Sequence, residues 1–567
     1  MVFMVMTDIT LGSVDRPNMK DIKIDLLLWG RAGEKQVSWS AGEVYALPDN
    51  QNLACQKIME WTANSDADYG LFWKTDENLP AKAVLKPLIM QKLDLAHKGL
   101  SSGMGDLWPD LAMIKQDWSM INAPVESAST SWRVSLMACL VRRSLIKDLG
   151  GIDSAYSSLE GASLDLGLRA LSMGAIVEHR PELIPENVKQ SSNEPPLHDL
   201  YAFTLRHFGL RWAQYLLVRR LLAYLQLKKE LHAFQVAKAS CKINAHPIFK
   251  PVNYHALDPK TKDLSKVTVS VIIPTLGRHK YIPDALNSLR QQTVHPFEVI
   301  VVDQNPIEER KPELYAGYED LNLHVIWQDE RGQSLARNTG ISQARGKCVF
   351  LFDDDSIAQP DLIEQHLIPI LEGYIDVSTG VAIPPSPEKY ELPSSHRFPR
   401  VAQTFDTGNC LISLDLLKKM GGLDRNYDFG PGTDADLGTR LYLAGYRILH
   451  NPNAIRIHYK APSGGLRTHG VHKYNTDSSA FTPFPPVTRS YYGLRFMGNK
   501  QFREMAFLSF VLSKFPKNIR NAGSVRSIVY GASRLLAGLL LYPIKRKRSL
   551  IKAQSLLRKG PQLSSFI

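Results

Sequence analysis

Phe350-Leu351-Phe352-Asp353-Asp354-Asp355-Ser356 is the stretch on which the reading of this chain turns. The apolar run from Cys348 to Phe352 reads as a buried strand, and it delivers three carboxylates at its end. Three adjacent acids repel one another, so a fold gathers them only with a cation or cationic ligand to offset the charge. A strand presents alternate residues on one face. Asp353 and Asp355 are therefore expected to point one way and Asp354 the other. Such a pair is a hard-oxygen site for Mg²⁺ or Mn²⁺ with open positions for phosphate oxygens. Taken alone, the same residues also suit a solvated acidic loop after a strand.

The acids follow other punctuated strands. Val267 to Ile273 is β-branched and ends at Pro274-Thr275. A helical pattern runs from Ile282 to Gln292, with apolar Ile282, Leu286 and Leu289. Phe297 to Val302 is a second strand, ending at Asp303-Gln304-Asn305. This β-α-β alternation predicts an α/β fold, with a mixed, mostly parallel sheet and helices on its faces. Ligands of such sheets bind beyond the carboxyl ends of the strands, where Thr275, Asp303 and Asp353 all fall. Between the second and third acidic positions, Gly332 to Gly340 reads as a helix start. Arg337 within it suits a phosphate, an acid or plain solvent.

These residues carry a resemblance. Val267 to Pro384 resembles the nucleotide-binding half of a family 2 glycosyltransferase of the GT-A fold, and Gly408 to His458 resembles its acceptor half. The matched elements are Ile-Ile-Pro274-Thr275, Val-Ile-Val-Val-Asp303, Ala336-Arg337-Asn338-x-Gly340, Phe-Asp353-Asp-Asp355 and Gly432-Thr433-Asp434-Ala-Asp436-Leu437. The resemblance implies that Pro274, Thr275 and Asp303 hold the base and ribose of a nucleoside-diphosphate sugar, a UDP-sugar by preference. It implies that Asp353 and Asp355 hold the sugar-nucleotide ribose and a divalent metal. Asp434 matches the general base of inverting members, and His458 a late metal-ligand histidine. Two positions depart from the family: Thr433 stands where Glu usually precedes the base, and Gln304 where a second Asp follows the first.

The chemistry implied is displacement at an anomeric carbon. An acceptor hydroxyl loses its proton as it attacks, which a positioned carboxylate such as Asp434 accepts. The departing nucleoside diphosphate gains negative charge, and a cation at Asp355 and His458 would stabilise it. Arg337 is a further donor-binding candidate. Gly464-Gly465-Leu-Arg467-Thr-His469 reads as a mobile loop whose Arg467 and His469 close over the diphosphate, or as an ordinary surface loop.

A second large feature is an internal repeat. Cys139 through Pro181 matches Cys410 through Pro452 without a gap, at a constant offset of 271 residues between Gly150 and Gly421. Tyr156, Gly161, Asp165, Leu166, Gly167, Arg169, Gly174, His179 and Pro181 all find identical partners. A repeat this long means two homologous domains. The first copy lacks the chemistry: Ser163 stands for Asp434, Asn187 for His458, and Lys74 of Leu71-Phe-Trp-Lys74-Thr75-Asp76 for the first acid. It is expected to be a degenerate copy that binds acceptor glycan or docks on its partner. An active domain with different catalytic residues is the alternative.

The chain has 567 residues, enough for two or more full cores. Its five cysteines show no C-x-x-C spacing, which argues against a disulfide framework or structural zinc. Met1 to Asp8 is too short for a signal peptide and lacks a basic start, so cytoplasm is the expected compartment. The net charge of +12 is concentrated after Phe484, where sixteen Lys and Arg meet the single acid Glu504. Apolar stretches (Ala506 to Leu512, Leu535 to Tyr542) alternate with this charge, and neither reaches the roughly 20 residues that span a bilayer. This predicts helices lying on an anionic membrane surface. A helical cap over the catalytic domain is another reading. A nucleic-acid patch is a third, and no nucleic-acid motif accompanies it.

The expected organisation is a degenerate GT-A-like domain over residues 1–199, a helical segment and linker over 200–262, a catalytic domain over 263–484 and a basic amphipathic helical tail over 485–567. The expected activity is transfer of a sugar to a glycan or lipid-linked glycan in cell-surface polysaccharide synthesis, peripheral at the inner face of a bacterial plasma membrane. A sugar-phosphate nucleotidyltransferase, which needs no base at Asp434, and a non-catalytic glycan-binding scaffold are the rivals.

Overall fold

The computed structural model describes residues 22–29, 42–74, 78–98, 108–115, 120–121, 123–183, 195–240, 264–373, 375–386, 390–393, 396–402, 405–470, 482–515 and 525–566. Thr75, Asp76 and Asn187 lie outside the described residues.

The first half forms a seven-stranded mixed sheet. Its strands are β1 (Ile24–Trp29), β2 (Val44–Leu47), β3 (Tyr69–Lys74), β4 (Leu95–His97), β5 (Ser129–Thr130), β6 (Ala138–Arg142) and β7 (Val177–His179). The second half forms a nine-stranded sheet from β8 (Val269–Thr275), β9 (Glu298–Asp303), β10 (Leu323–Trp327), β11 (Cys348–Phe352), β12 (Ser356–Ala358), β13 (Val377–Ile383), β14 (Arg400–Ala402), β15 (Asn409–Ser413) and β16 (Ile448–His458). The strands expected around Pro274 and Asp303 are β8 and β9, and the expected helix is Ile282–Arg290.

Strand β8 shows why the fold takes this form. It is flanked by parallel neighbours β9 and β11, and such central strands are buried on both faces. Val269, Val271 and Ile273 enter one core with Phe350, Phe352 and the Ile282–Arg290 helix. Ile272 enters the opposite core with Val349, Leu351, Ala336 and Ile341. Phe350 and Phe352 are fully buried, each worth about 1.5–3 kcal/mol. Gly340 lets the helix Gln333–Gln343 lie close on the sheet: a Cβ there would fall 2.5 Å from Ile272 Cγ2.

The two sheets share one topology. The first runs β2-β1-β3-β6-β4-β7-β5. The second, apart from β10 and β12, runs β9-β8-β11-β15-β13-β16-β14. Corresponding pairs agree in sense throughout, from β1 parallel to β2 and β8 parallel to β9, to β5 antiparallel to β7 and β14 antiparallel to β16. The repeat is also kept in side chains. Arg169 bonds Asp165 at 2.7 Å and donates to the carbonyls of Leu149 and Gly151. Arg440 bonds Asp436 at 2.7 Å and donates to the carbonyls of Met420 and Gly422.

The halves meet reciprocally. A Cβ on Gly174 would lie 2.5 Å from Pro399 O, and one on Gly445 would lie 2.6 Å from Ala128 O. Both pairs are related by the same 271-residue offset, so patch i touches j and j touches i, as across a two-fold axis. The buried pair Arg447–Glu178 also crosses this boundary.

Two expected segment boundaries shift. The helices Leu197–Phe208, Leu210–Tyr224 and Leu227–Ser240 share the first core through Tyr201, Phe203, Ala213, Leu216 and Ala237. The expected helical segment thus packs on that half, and the expected linker after Ser240 lies outside the described residues up to residue 263. The region after 484 packs on both halves, with Glu504 paired to Arg219 and Lys500 to Asp110 of the first half. Gln562 N donates to Asp424 at 2.9 Å, Ser564 N to Gly421 O at 3.0 Å, and Asn426 Nδ2 to Gly560 O at 2.9 Å. The end of the chain is thus held by polar contacts that its basic, amphipathic composition does not reveal.

Candidate functional site

The acid cluster sits where β11 ends. The strand stops at Phe352 and a turn carries Asp354 and Asp355 into β12. Asp353 and Asp355 still converge, with His458 brought alongside by the β12–β16 pairing of Ser356 with His458. Ligand atoms of Asp353, Asp355 and His458 all lie within 4.8 Å of one another. The expected segregation of Asp354 holds, through a turn and not through strand alternation. Asp354 accepts from Thr275 Oγ1 at 2.8 Å and from Arg278 Nη1 at 3.0 Å.

Three arginines offset this charge. Asp353 accepts from Arg337 Nη2 and from Arg456 Nη1, both at 2.8 Å. Burial opposes ionising Asp353, but Arg456 and Arg337 override it and hold the carboxyl well below the usual range. Asp354 is pushed up to about 6, chiefly by burial, with Arg278 opposing and Asp355 adding to the rise. Asp355 accepts from Ala461 N at 2.8 Å through Oδ2. Its Oδ1 is buried without a well-directed donor among the described residues. His458 Nε2 lies 3.3 Å and Arg278 Nη1 3.4 Å from it. Burial works against ionising Asp355, and His458 and Arg278 hold its carboxyl below the ordinary value. An under-satisfied carboxylate oxygen beside an imidazole and a second carboxylate fits a divalent cation.

Asp434 opens the helix Thr433–Leu443 and is linked to the acid cluster through Thr407 and Arg337. Its Oδ1 accepts from Thr407 Oγ1 at 2.7 Å and Thr407 N at 3.3 Å. Thr407 O in turn accepts from Arg337 Nε at 3.3 Å. Asp434 reaches solvent while protein crowds its other sides. Burial, then the nearby Asp406 carboxylate, push it up to about 6, against the pull of Thr407 and Arg337. A carboxyl with this value is matched to taking a proton near neutrality.

Other expected site residues fall differently. Asp303 is fully buried and bonded to Asn305, Tyr315 and His279. Its carboxylate is committed to shaping the loop after β9. Thr275 is likewise turned to Asp354, and Pro274 is half-buried on β8. Gly465–His469 is a one-turn helix, not the open loop expected. It rests against Arg278, with Gly465 N donating to Leu276 O at 2.9 Å. Arg467 donates to the carbonyls of Lys460 and Ala461, and His469 contacts Arg331 at 3.4 Å.

Sequence reasoning missed Arg278, Asp406 and Arg456. Arg456 had a signal: it lies two residues before His458 on one strand, hence on the same face. Arg456 also binds Asp406 at 3.0 Å. Gly408 has a reason to be glycine, since a Cβ there would lie 2.0 Å from Asp353 Oδ2.

Residues 270–429 match the family described as glycosyl transferase family 2; Asp434 lies just beyond that span. The glycosyltransferase MJ1057 of Methanocaldococcus jannaschii is 27% identical over 173 residues, 28% of this chain and 60% of that protein. The glucosyl-dolichyl phosphate glucuronosyltransferase of Haloferax volcanii is 28% identical over 220 residues, 34% of this chain and 69% of that protein. The glycosyltransferase YwdF of Bacillus subtilis is 35% identical over 98 residues, 17% of this chain and 36% of that protein. The chain thus spans only part of the first relatives it matches. Among solved structures, S. aureus TarS overlaps 34% of this chain and 37% of its own, at 23% identity and a TM-score of 0.29. The mannosyltransferase PcManGT of Pyrobaculum calidifontis, solved with GDP-Man and Mn²⁺, overlaps 53% of this chain and 88% of its own, at 19% identity and a TM-score of 0.33. The family likeness is thus carried by residues 270–429, which are similar to glycosyl transferase family 2.

Proposed function

We propose that the chain is an inverting, metal-dependent glycosyltransferase that moves a sugar from a nucleoside-diphosphate sugar to a glycan or lipid-linked glycan. The observation that carries this reading is the convergence of Asp353, Asp355 and His458, with Arg337 bonded both to Asp353 and to the Thr407 that holds Asp434. Asp355 and His458 would hold Mg²⁺ or Mn²⁺, which supplies positive charge for the departing diphosphate. Asp434 takes the proton of the attacking hydroxyl, and Thr407 fixes the carboxylate for it. Arg337 and Arg456 hold Asp353 ionised and in place. Arg467 and His469 stand on the short helix beside Arg278, within the same segment that would cover a diphosphate.

The first half is proposed to be a degenerate copy that does no transfer. Ser163, at the position of Asp434, is buried and donates back to Leu159 O at 2.6 Å within its own helix. Such a hydroxyl has neither the charge nor the exposure of a base. The acceptor is proposed to be membrane-borne. The helix Val525–Lys559 carries nine Lys and Arg and no acid. Val529, Leu536, Leu540 and Ile544 are at least half exposed on it and lie along one stripe. No helix among the described residues is long and apolar enough to cross a membrane, so the stripe suits lying on an anionic leaflet. The relative from Haloferax volcanii is named for a glucosyl-dolichyl phosphate substrate, which accords with a lipid-linked acceptor here.

The test is a donor screen on the full chain, reading nucleoside diphosphate release and product anomer with and without chelator. Metal-dependent release with inversion is the expected result. Release of pyrophosphate from a nucleoside triphosphate and a sugar phosphate would replace this reading with nucleotidyl transfer.

A further inference from the structure

The first half has a cavity of about 910 Å³ at the end of its sheet that corresponds to the acid cluster of the second. The correspondence is set by register. Trp73 pairs with Ala138, and Phe352 pairs with Asn409. Ala138 and Asn409 are related by the 271-residue offset, so Lys74 occupies the position of Asp353. Met137, by the same offset, occupies that of Gly408. Both changes go together: the glycine that makes room for the Asp353 carboxylate is not needed where no carboxylate stands.

Among the described residues the lining therefore lacks the converging acid pair of the second half and suits a ligand that needs no metal. Lys74 puts an ammonium where the second half has its first acid. The rest of the wall carries one carboxylate, Asp49, together with carboxamides and hydroxyls, among them Asn50, Asn52 and Ser157. Sugar hydroxyls both donate and accept hydrogen bonds, and so do carboxamides and hydroxyls. Parts of the wall are pre-set. Asn50 caps the helix Gln51–Asn64, and His198 Nε2 meets Ser157 Oγ at 2.6 Å. The volume falls at the upper end of the roughly 300–1,000 Å³ of small-ligand pockets, room for more than one sugar ring.

We propose that this cavity is a metal-independent saccharide-binding site, one that holds a glycan segment through its hydroxyls while the second half does the chemistry. It goes beyond the transfer reading, and its test measures no transfer. The full chain in EDTA is applied to an array of neutral and acidic bacterial oligosaccharides, and the strongest hit is titrated calorimetrically. Lys74→Glu and Asn52→Ala, both exposed and tolerant of change, should each weaken the hit about tenfold, as the loss of roughly one good hydrogen bond to a charged or polar group does. Met137→Trp should block it, provided circular dichroism shows a folded protein. No hit in EDTA would overturn the proposal. So would a hit that ignores Lys74→Glu and Asn52→Ala but is lost on Asp434→Asn, which would place it in the second half. Binding of UDP in EDTA that Lys74→Glu abolishes would make the cavity a nucleotide site and overturn it equally.

Discussion

Thr407 grips Asp434 by both its hydroxyl and its amide, at 2.7 and 3.3 Å from the same carboxylate oxygen. No donor to the second oxygen is found among the described residues, and Asp434 is exposed. This is the arrangement of a base whose direction is fixed and whose reactive lone pairs are open. Asp434→Asn keeps the shape and removes the proton acceptor. Turnover should fall by roughly 10² or more while donor affinity changes little. Collapse of donor affinity in a titration of the variant would make Asp434 a binding residue instead.

The pH dependence follows from the same carboxyl. Its value, pushed up to about 6 by burial and then by Asp406, means it is ionised and able to accept a proton above that pH. Turnover should therefore fall as pH drops below about 6. Asp406→Asn removes a neighbouring negative charge, so the carboxyl ionises more readily and the acid limb should move to lower pH. A pH–rate profile whose acid limb is the same in both proteins would remove Asp406 from the account.

Metal binding is tested apart from activity. Asp355→Ala removes the carboxylate whose Oδ1 lacks a well-directed donor. Mn²⁺ titrated into the protein and followed by its paramagnetic resonance should bind the parent and bind the variant at least tenfold more weakly. Equal binding by both would separate the metal, if any, from this cluster.

Much of this was legible in the sequence because it rests on local order. The acids at a strand end, His458 closing β16 and the 271-residue repeat are all contiguous patterns. The counter-charges were not legible in the same way. Arg278 follows β8 and Arg456 lies on β16, so they meet the cluster only once β8 pairs with β11 and β12 with β16; the further acid Asp406 is brought in by Arg456. Three adjacent acids need positive charge close by, and three guanidiniums supply part of it. Asp303 illustrates the reverse case. Its strand-end position suggested a ligand contact, whereas Asn305, Tyr315 and His279 occupy its oxygens. The docking of residues 560–566 on Asp424 and Gly421 left no periodic trace at all.

That docking changes how the membrane reading is tested. Removing the end of the chain would strip contacts from the second half, so charge is the cleaner variable. Replacing Lys545, Arg546, Lys547 and Arg548 by Gln should weaken partitioning onto vesicles containing phosphatidylserine, by about 1 kcal/mol per residue near the surface at low salt. Neutral vesicles should show little difference. Unchanged partitioning in sedimentation assays would leave the helix Val525–Lys559 as a cap alone.

The reciprocal contact between the halves gives the last prediction. Gly445 adopts φ +85, and a Cβ on it would fall 2.6 Å from Ala128 O. A backbone carbonyl cannot swing aside as a flexible side chain can, so Gly445→Ala adds a clash to the strain of a left-handed residue. Gly373 supplies the control: it has φ +76 and nothing within 4 Å of the position of its Cβ. Gly373→Ala should cost only the backbone strain, on the order of 1 kcal/mol. Gly445→Ala should cost about 1–3 kcal/mol more. Gly174→Ala, whose Cβ would fall 2.5 Å from Pro399 O, should behave like Gly445→Ala, since the two sites are equivalent under the 271-residue offset. Urea denaturation of the three variants reads the difference directly. Equal losses at Gly445 and Gly373 would mean that the halves do not meet in solution as a pair related by two-fold symmetry.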